Sequence, residues 1–556
     1  MKVAKVGHLN LLYLVLAIII AFYCYYGVLD NYFYMDENMW IADAKTTTLN
    51  FWDTFDTSKN EVRVYSFLPH LIYFLLLQIG KWNPMPFYMT SIILRIITSF
   101  FLFNLIYRYT KKAIVAACAS LIFLVNFSSY ETVLMNCNIA YTAGLFFYVL
   151  ALYIFLLDTE NKSNLKLFSF FGLYIANLLS HENAFTLPLI CFVAFFLFNY
   201  ESKINFSSQF FRIARDFLKR YFLLFLFITL PYLVVRPIPL TLSPCRNYLV
   251  YIGTVAKSTL TWFVPEGVLY RLIFLLNKIF HMNSTYNIQE NIFLTIVALL
   301  VFIIFTGISI IAFFNFFIKR EKRCMLLVAM GLLIMVLNIF PYAIGKGEEF
   351  FGQCVGIFPP GRILYYPSIG FSFVIAGIVM VFYNLRTRKS VILKYIFLMA
   401  FIVYMLLAFT VNKKLEQSYH HDTNIFRIIH TSLKKNMAIF PFGSTVYVDL
   451  TSFKAEVGHS HVGLFRSLVS QLLDDEPPYN KSRYTEPLFC QVPFALEFFC
   501  PPGQNIKHQL IQELSKKGCS KPVFYFELVN DKLAMYQWSP LKKAFLIKNE
   551  QSQVVN

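Results

Sequence analysis

Asp36 and Glu37 stand side by side in YMDENMW, just beyond the first long apolar run, Leu9 to Leu29. A carboxylate there can act as a general base, taking the proton from an attacking hydroxyl. Two adjacent acids in a loop are more often solvated charge, so the pair gains weight only from its company. That company sits at the ends of other apolar runs: Glu131 in SSYETVL, His181 and Glu182 in LLSHENAFTLP, Lys346, Glu348 and Glu349 in GKGEEF, and Arg362 in GRILYYPSIGF. Lys346 and Arg362 are cations suited to phosphate oxygens, and a guanidinium can hold two of them at once. Carboxylates and cations in this combination fit a displacement in which a hydroxyl attacks a carbon and a phosphate departs as a stable anion. Each residue also has a plainer reading: Glu131 facing water, His181-Glu182 a capped turn before Pro188, Arg362 snorkelling from a helix end.

Arg95 is a different case, because TSIILRIITSFF buries a guanidinium in an apolar run. Such a residue is costly in lipid and faces a polar interior, unless it snorkels outward. It joins Glu131, His181, Glu182, Lys346 and Arg362 as a candidate substrate-binding residue, with Asp36 and Glu37 as the catalytic pair.

The elements that must position these residues are membrane spans. Of the 556 residues 57% are hydrophobic, 62 are Phe and 14% are charged, a composition that excludes an ordinary soluble protein. A span needs about 20 apolar residues, and a β-barrel would need short alternating segments that are absent. The net charge of +18 gathers between apolar runs, which explains it by orientation in a membrane and argues against a nucleic-acid partner.

Placing Lys and Arg loops on the cytoplasmic side decides the topology. Counting Ser66 to Gly80 as a span would put Arg108, Lys111 and Lys112 outside. As a short helix lying along the interface or re-entering shallowly, with Pro69 and His70 in it, that segment leaves them inside. Spans then fall near Leu9–Leu29, Phe87–Tyr107, Ala113–Phe127, Ile139–Leu157, Leu167–Leu179, Ala184–Phe198, Tyr221–Val235, Ile292–Phe317, Met325–Tyr342, Ile363–Tyr383 and Val391–Val411. The expectation is an α-helical polytopic membrane domain over 1–411 with about eleven helices, and a soluble extracytoplasmic α/β domain over 412–556.

That tail pairs a polar helical stretch, Lys414 to Lys435, with strand-like pieces at Thr445–Leu450 and Pro522–Leu528. Ten cysteines lack a CxxC framework, which argues against structural zinc, while a Cys490–Cys500 bridge stays open in the tail. His420-His421 and the pair His459, His461 read as surface residues. No cofactor is implied, and a divalent metal stays open.

Several strings together resemble the GT-C superfamily of polyprenyl-phosphate-sugar-dependent glycosyltransferases. They are the acidic pair after helix one, the interfacial helix leading to KWNPMPFYMTSIILR, SSYETVLMNCNIAYTAGLFF, LLSHENAFTLP, TWFVPEGVLY and GRILYYPSIGFSF. In order and spacing they are similar to segments of the membrane O-mannosyltransferases, and the broad layout is shared with the aminoarabinose transferases. The resemblance implies that Asp36 is the catalytic acid of the first outer loop, with Glu37 its neighbour. It implies that Glu131 and Glu182 are the acidic positions of the second and third loops, and that Arg362 is a contact for the lipid phosphate. His181 departs from a Lys and Arg95 from a His at the matching positions, and RVYSFLP is a degraded form of the family's string before the interfacial helix.

The expected activity is inverting transfer of a monosaccharide from a polyprenyl-phosphate donor to a hydroxyl of a glycan, lipid or protein acceptor. The expected setting is the outer face of a bacterial inner membrane. A flippase for lipid-linked glycans, or a glycan polymerase or ligase taking a diphosphate-linked oligosaccharide, are the alternatives. A flippase would want charges near the bilayer midplane, whereas here the polar residues crowd one face, with Arg95 the main exception.

Overall fold

The computed structural model describes residues 2–32, 67–80, 83–135, 138–199, 206–235, 322–345, 365–384 and 388–436. In the tail it describes five strands within 444–549 and helical residues at 511, 512 and 515. Asp36, Glu37, Lys346, Arg362, Cys490 and Cys500, and the expected span Ile292–Phe317, lie outside the described residues.

The helices are α1 (Lys2–Tyr25), α2 (Phe67–Gly80), α3 (Met85–Thr110), α4 (Ala113–Val125), α5 (Ile139–Glu160), α6 (Asn164–Leu178) and α7 (Leu187–Asn199). They continue with α8 (Phe206–Phe217), α9 (Leu223–Val235), α10 (Lys322–Gly345), α11 (Pro367–Asn384) and α12 (Arg388–Asn436). Among the described residues, five helical segments are long and apolar enough to cross a membrane: Gly7–Asp30, Met85–Thr110, Ile139–Glu160, Pro367–Asn384 and Lys394–Ile429.

α1 and α3 run antiparallel. Tyr13 stacks on Phe103 at 4.2 Å near one end, and Tyr88 donates to the Tyr32 carbonyl at 3.1 Å at the other. The chain between them therefore leaves and returns at the same end. α2 lies across that end. Its Tyr73 meets Phe87 at 5.9 Å, both are buried with Ile139, and its Leu68 N–H donates to the Leu179 carbonyl at 3.2 Å. It has 14 residues, fewer than the about 20 that a straight crossing needs.

The opposite end of the bundle is basic. There Lys111 adopts a left-handed conformation (φ 56°) that closes α3 and turns the chain into α4. Arg108 pairs with Glu160 at 2.6 Å, and Lys112 sits 4.6 Å over the Tyr383 ring. Asp158, fully buried, receives a bidentate pair of bonds from Arg220 at 2.7 and 2.9 Å and a third from Tyr221 at 2.6 Å. Arg220 and Tyr221 lie on the π-helical turn Leu218–Phe222 that joins α8 to α9. Residues 206–217 form amphipathic α8, which buries Gln209, Ile213 and Phe217 and exposes Arg212 and Arg215.

Aromatic side chains fill much of the interior. Phe155, Phe170, Tyr221 and Phe225 interlock across four segments at centroid distances of 4.9 to 6.4 Å, mostly in tilted or edge-on geometry. α10 and α11 approach more closely, because Gly331 and Gly370 each face the other helix's backbone where a Cβ would collide.

α12 is one continuous helix of 49 residues, about 74 Å long at the usual rise. It unites the expected span Val391–Val411 with the polar stretch Lys414–Lys435, so residue 411 falls inside a helix. The loss of hydrophobicity there marks a change of surroundings, not of backbone. Beyond it a five-stranded sheet has the order β2-β1-β3-β4-β5, with β1 Ser444–Asp449, β2 Phe494–Phe499, β3 Val523–Val529, β4 Lys532–Ser539 and β5 Ala544–Asn549. β1 is parallel to both β2 and β3, and the remaining pairs are antiparallel. β1 and β3 lie within a residue of the expected strands. Phe524, Phe526 and Met535 of the sheet are buried in one cluster with Ile425 and Ile429 of α12.

Candidate active site

The end of the bundle opposite the basic one gathers the segments that lead to the candidate acids. Its centre is Arg95. The guanidinium is fully buried, with Nε donating to Leu124 O at 2.9 Å and Nη1 to Ser129 O at 3.3 Å and Thr132 Oγ1 at 3.1 Å. Nη2 donates to Phe123 O at 3.1 Å, Asn126 O at 3.2 Å and Ser129 Oγ at 3.0 Å. These contacts engage every N–H an arginine has. The rings of Tyr365, Tyr25 and Phe123 surround its Cζ at 5.2, 5.5 and 5.6 Å.

The acceptors are neutral, and several are the carbonyls that a helix leaves unpaired at its C-terminus. The negative end of the α4 dipole favours a cation there. Two further helices complete the cap: Tyr25 donates to Leu124 O at 3.0 Å and Asn412 to Val125 O at 2.9 Å. Arg95 thus faces a polar interior, as its position in an apolar run required, and what it grips is the turn carrying Glu131. Glu131 opens the one-turn helix Glu131–Leu134, directly before Thr132.

The second cluster surrounds His181. This residue is extended and buried, and its Nδ1 accepts from the Asn183 N–H at 3.2 Å, which leaves Nε2 to carry the proton in the neutral ring. Its ring lies 4.4 Å from Tyr141 and 5.1 Å from Tyr366. Glu182 opens the 3-10 turn Glu182–Thr186. That turn is tied to α5 and α10: Thr186 Oγ1 meets the Tyr148 hydroxyl and Asn338 Oδ1, each at 3.0 Å, and Asn183 Nδ2 donates to Asn338 O at 3.4 Å. Gly144 is required here, since a Cβ would collide with the Tyr366 hydroxyl and press on His181.

The third segment is the exit of α1. Asp30 and Asn31 meet α12 through Arg427 and His420, so His420 contacts the bundle although it reads as a plain surface residue in sequence. Four residues beyond Tyr32 the sequence reaches Asp36.

Sequence reasoning missed Asn177, Asn183, Asn338, Tyr148 and Tyr366, whose uncharged polar groups build the frame around His181. No charge or spacing marks them. Asn177 Nδ2 and Asn183 Oδ1 are buried and have no hydrogen-bond partner among the described residues. Among the described residues no group of three or more His, Cys, Asp or Glu converges as a metal site would require.

No protein-family model and no curated protein sequence matches the chain. Among solved structures, the oligosaccharyltransferase of Archaeoglobus fulgidus, solved with Zn and sulfate, is similar at 12% identity and a TM-score of 0.44, over 92% of this chain and 68% of that one. ArnT of Cupriavidus metallidurans in the apo state is similar at 12% identity and a TM-score of 0.42, over 94% of this chain and 93% of that one. The A. fulgidus oligosaccharyltransferase AglB, in complex with an inhibitory peptide and a dolichol-phosphate, is similar at 12% identity and a TM-score of 0.43, over 98% of this chain and 75% of that one.

Proposed function

We propose that the chain is an integral-membrane glycosyltransferase that moves a monosaccharide from a polyprenyl phosphate to an acceptor hydroxyl on the outer face of the membrane. One observation carries the reading: the exit of α1, the Glu131 turn and the His181-Glu182 turn converge at the end of the bundle opposite the basic residues. Candidate acids at one end, with the loop cations Arg108, Lys111 and Lys112 at the other, match the charge rule and leave the acids at the face where the chemistry would take place.

In this reading Asp36 takes the proton of the acceptor hydroxyl as its oxygen attacks the anomeric carbon. The bond from that carbon to the phosphate oxygen breaks, and the lipid phosphate leaves as an anion held by Arg362 and Lys346. A single displacement inverts the anomeric centre. Glu37 stands beside the base, and Glu131, His181 and Glu182 contact the substrates. Arg95, whose N–H groups all have internal acceptors, serves the site by fixing the Glu131 turn. The acceptor is a glycan, a lipid or a protein, the sheet domain helps to select it, and a bacterial inner membrane is the proposed location.

The test offers the purified protein radiolabelled polyprenyl-phosphate monosaccharides in parallel with diphosphate-linked oligosaccharides. Release of lipid monophosphate with label transfer supports the reading. Turnover of only the diphosphate donors would replace it with a polymerase or ligase.

A further inference from the structure

The distal half of α12 has a polar face with no role yet assigned. Asn412, Glu416, His420, Thr423 and Arg427 recur at intervals of three or four residues, which puts them along one side of a helix. That side lies against both approaches to the site. Asn412 caps α4 at Val125, and the ring of Tyr419, on the same part of the helix, meets Tyr130 edge-on at 6.1 Å, next to Glu131. Higher up, Gly27 lies against the Glu416 carboxylate so closely that a Cβ would collide with it, and Glu416 is also paired with Lys413 at 2.9 Å. His420 Nδ1 lies 3.2 Å from Asn31 Oδ1. Arg427 donates to the Asp30 carbonyl and sits 5.8 Å over the Tyr32 ring.

Farther along, Ile425 and Ile429 are buried with the sheet residues Phe524, Phe526 and Met535. One continuous helix therefore touches the chain leading to Asp36, the turn bearing Glu131, and the C-terminal sheet.

We infer that the distal half of α12 is a positioning strut, in which Arg427 and His420 fix the direction in which the chain leaves α1 and so couple the C-terminal sheet to the catalytic loop. The bond to the Asp30 carbonyl and the ring contact at Tyr32 hold the last described residues before the acidic pair. The inference rests on the glycosyltransferase reading only for its catalytic consequence. The mechanical contact stands apart from it.

The experiment uses full-length protein in nanodiscs with Arg427→Ala, Arg427→Lys and, as a control, Arg215→Ala, which changes an exposed residue of α8 at the basic end. Hydrogen exchange over residues 27–32 reads the contact without any substrate. Arg427→Ala is expected to speed exchange there roughly tenfold, Arg427→Lys to recover part of the protection, and Arg215→Ala to leave it unchanged. In the donor assay kcat is expected to fall roughly tenfold or more in Arg427→Ala while the donor KM stays near wild type, because a misdirected base lowers turnover before binding. Unchanged exchange in Arg427→Ala overturns the strut. Faster exchange with unchanged kcat overturns the coupling to the site. A wild-type protein inactive on every donor sinks the glycosyltransferase reading, and the exchange result then decides the strut by itself.

Discussion

Arg95 Nε and the Leu124 carbonyl are bonded at 2.9 Å, and the Tyr25 hydroxyl reaches the same oxygen at 3.0 Å. A buried cation and a neutral donor from different helices thus share the C-terminus of a third. The Glu131 turn hangs from this joint.

Replacing Arg95 by Met leaves the carbonyls of 123, 124 and 126 without their guanidinium donor in a buried site. Each hydrogen bond to a charged group contributes about 1.5–3 kcal/mol, so the loss should be among the largest of any single change in the bundle. Arg95→Met is expected to lower the melting temperature of the detergent-solubilised protein sharply. Arg95→Lys, with three donors, should recover only part of it. Equal melting of Arg95→Met and wild type would show that the cap is dispensable.

Gly144 and Tyr366 make a paired prediction. Gly144→Ala forces the Tyr366 hydroxyl and His181 apart, at a cost of about 1–3 kcal/mol. Removing the hydroxyl with Tyr366→Phe in the same chain should return much of that stability. A double variant no better than the additive sum of the singles would mean that the two side chains do not compete for this space.

At the basic end, Asp158→Asn and Arg220→Met each break a bidentate pair between a buried carboxylate and a half-buried guanidinium and should each cost about 1.5–3 kcal/mol. The fraction that remains folded should keep its transfer activity per molecule, because the pair lies at the far end of the bundle from the acidic turns. A selective loss of turnover with unchanged melting would place a catalytic function at the wrong end.

The orientation can be read with a membrane-impermeant maleimide in spheroplasts. In a cysteine-free background, cysteine at Tyr26, exposed near the end of α1, should label from outside. Cysteine at Lys162, exposed between α5 and α6, should label only after permeabilisation. The reverse pattern would invert the topology.

What the sequence made readable was local. The charge count across Arg108, Lys111 and Lys112 set 66–80 apart from the spans, and the structure has a separate short helix there, Phe67–Gly80, because such a count depends only on residues beside the segment. β1 and β3 were readable from their own alternation. Arg95 stood out as a guanidinium in an apolar run, but its acceptors are set by α4 packing on α3, and no spacing announces them. The frame around His181 is built of Asn, Thr and Tyr from α5, α6, α10 and the approach to α11, and uncharged residues leave no mark on a charge pattern. α12 read as a span followed by a separate helix, since hydropathy records the surroundings of a backbone and not its continuity.

The central claim rests on Asp36, and transfer by the Asp36→Asn variant tests it most directly. The variant should insert, fold and melt like wild type, bind the polyprenyl-phosphate donor, and release lipid phosphate at least about a thousandfold more slowly, as loss of a general base and the alignment it provides demands. Wild-type turnover in Asp36→Asn would contradict the account.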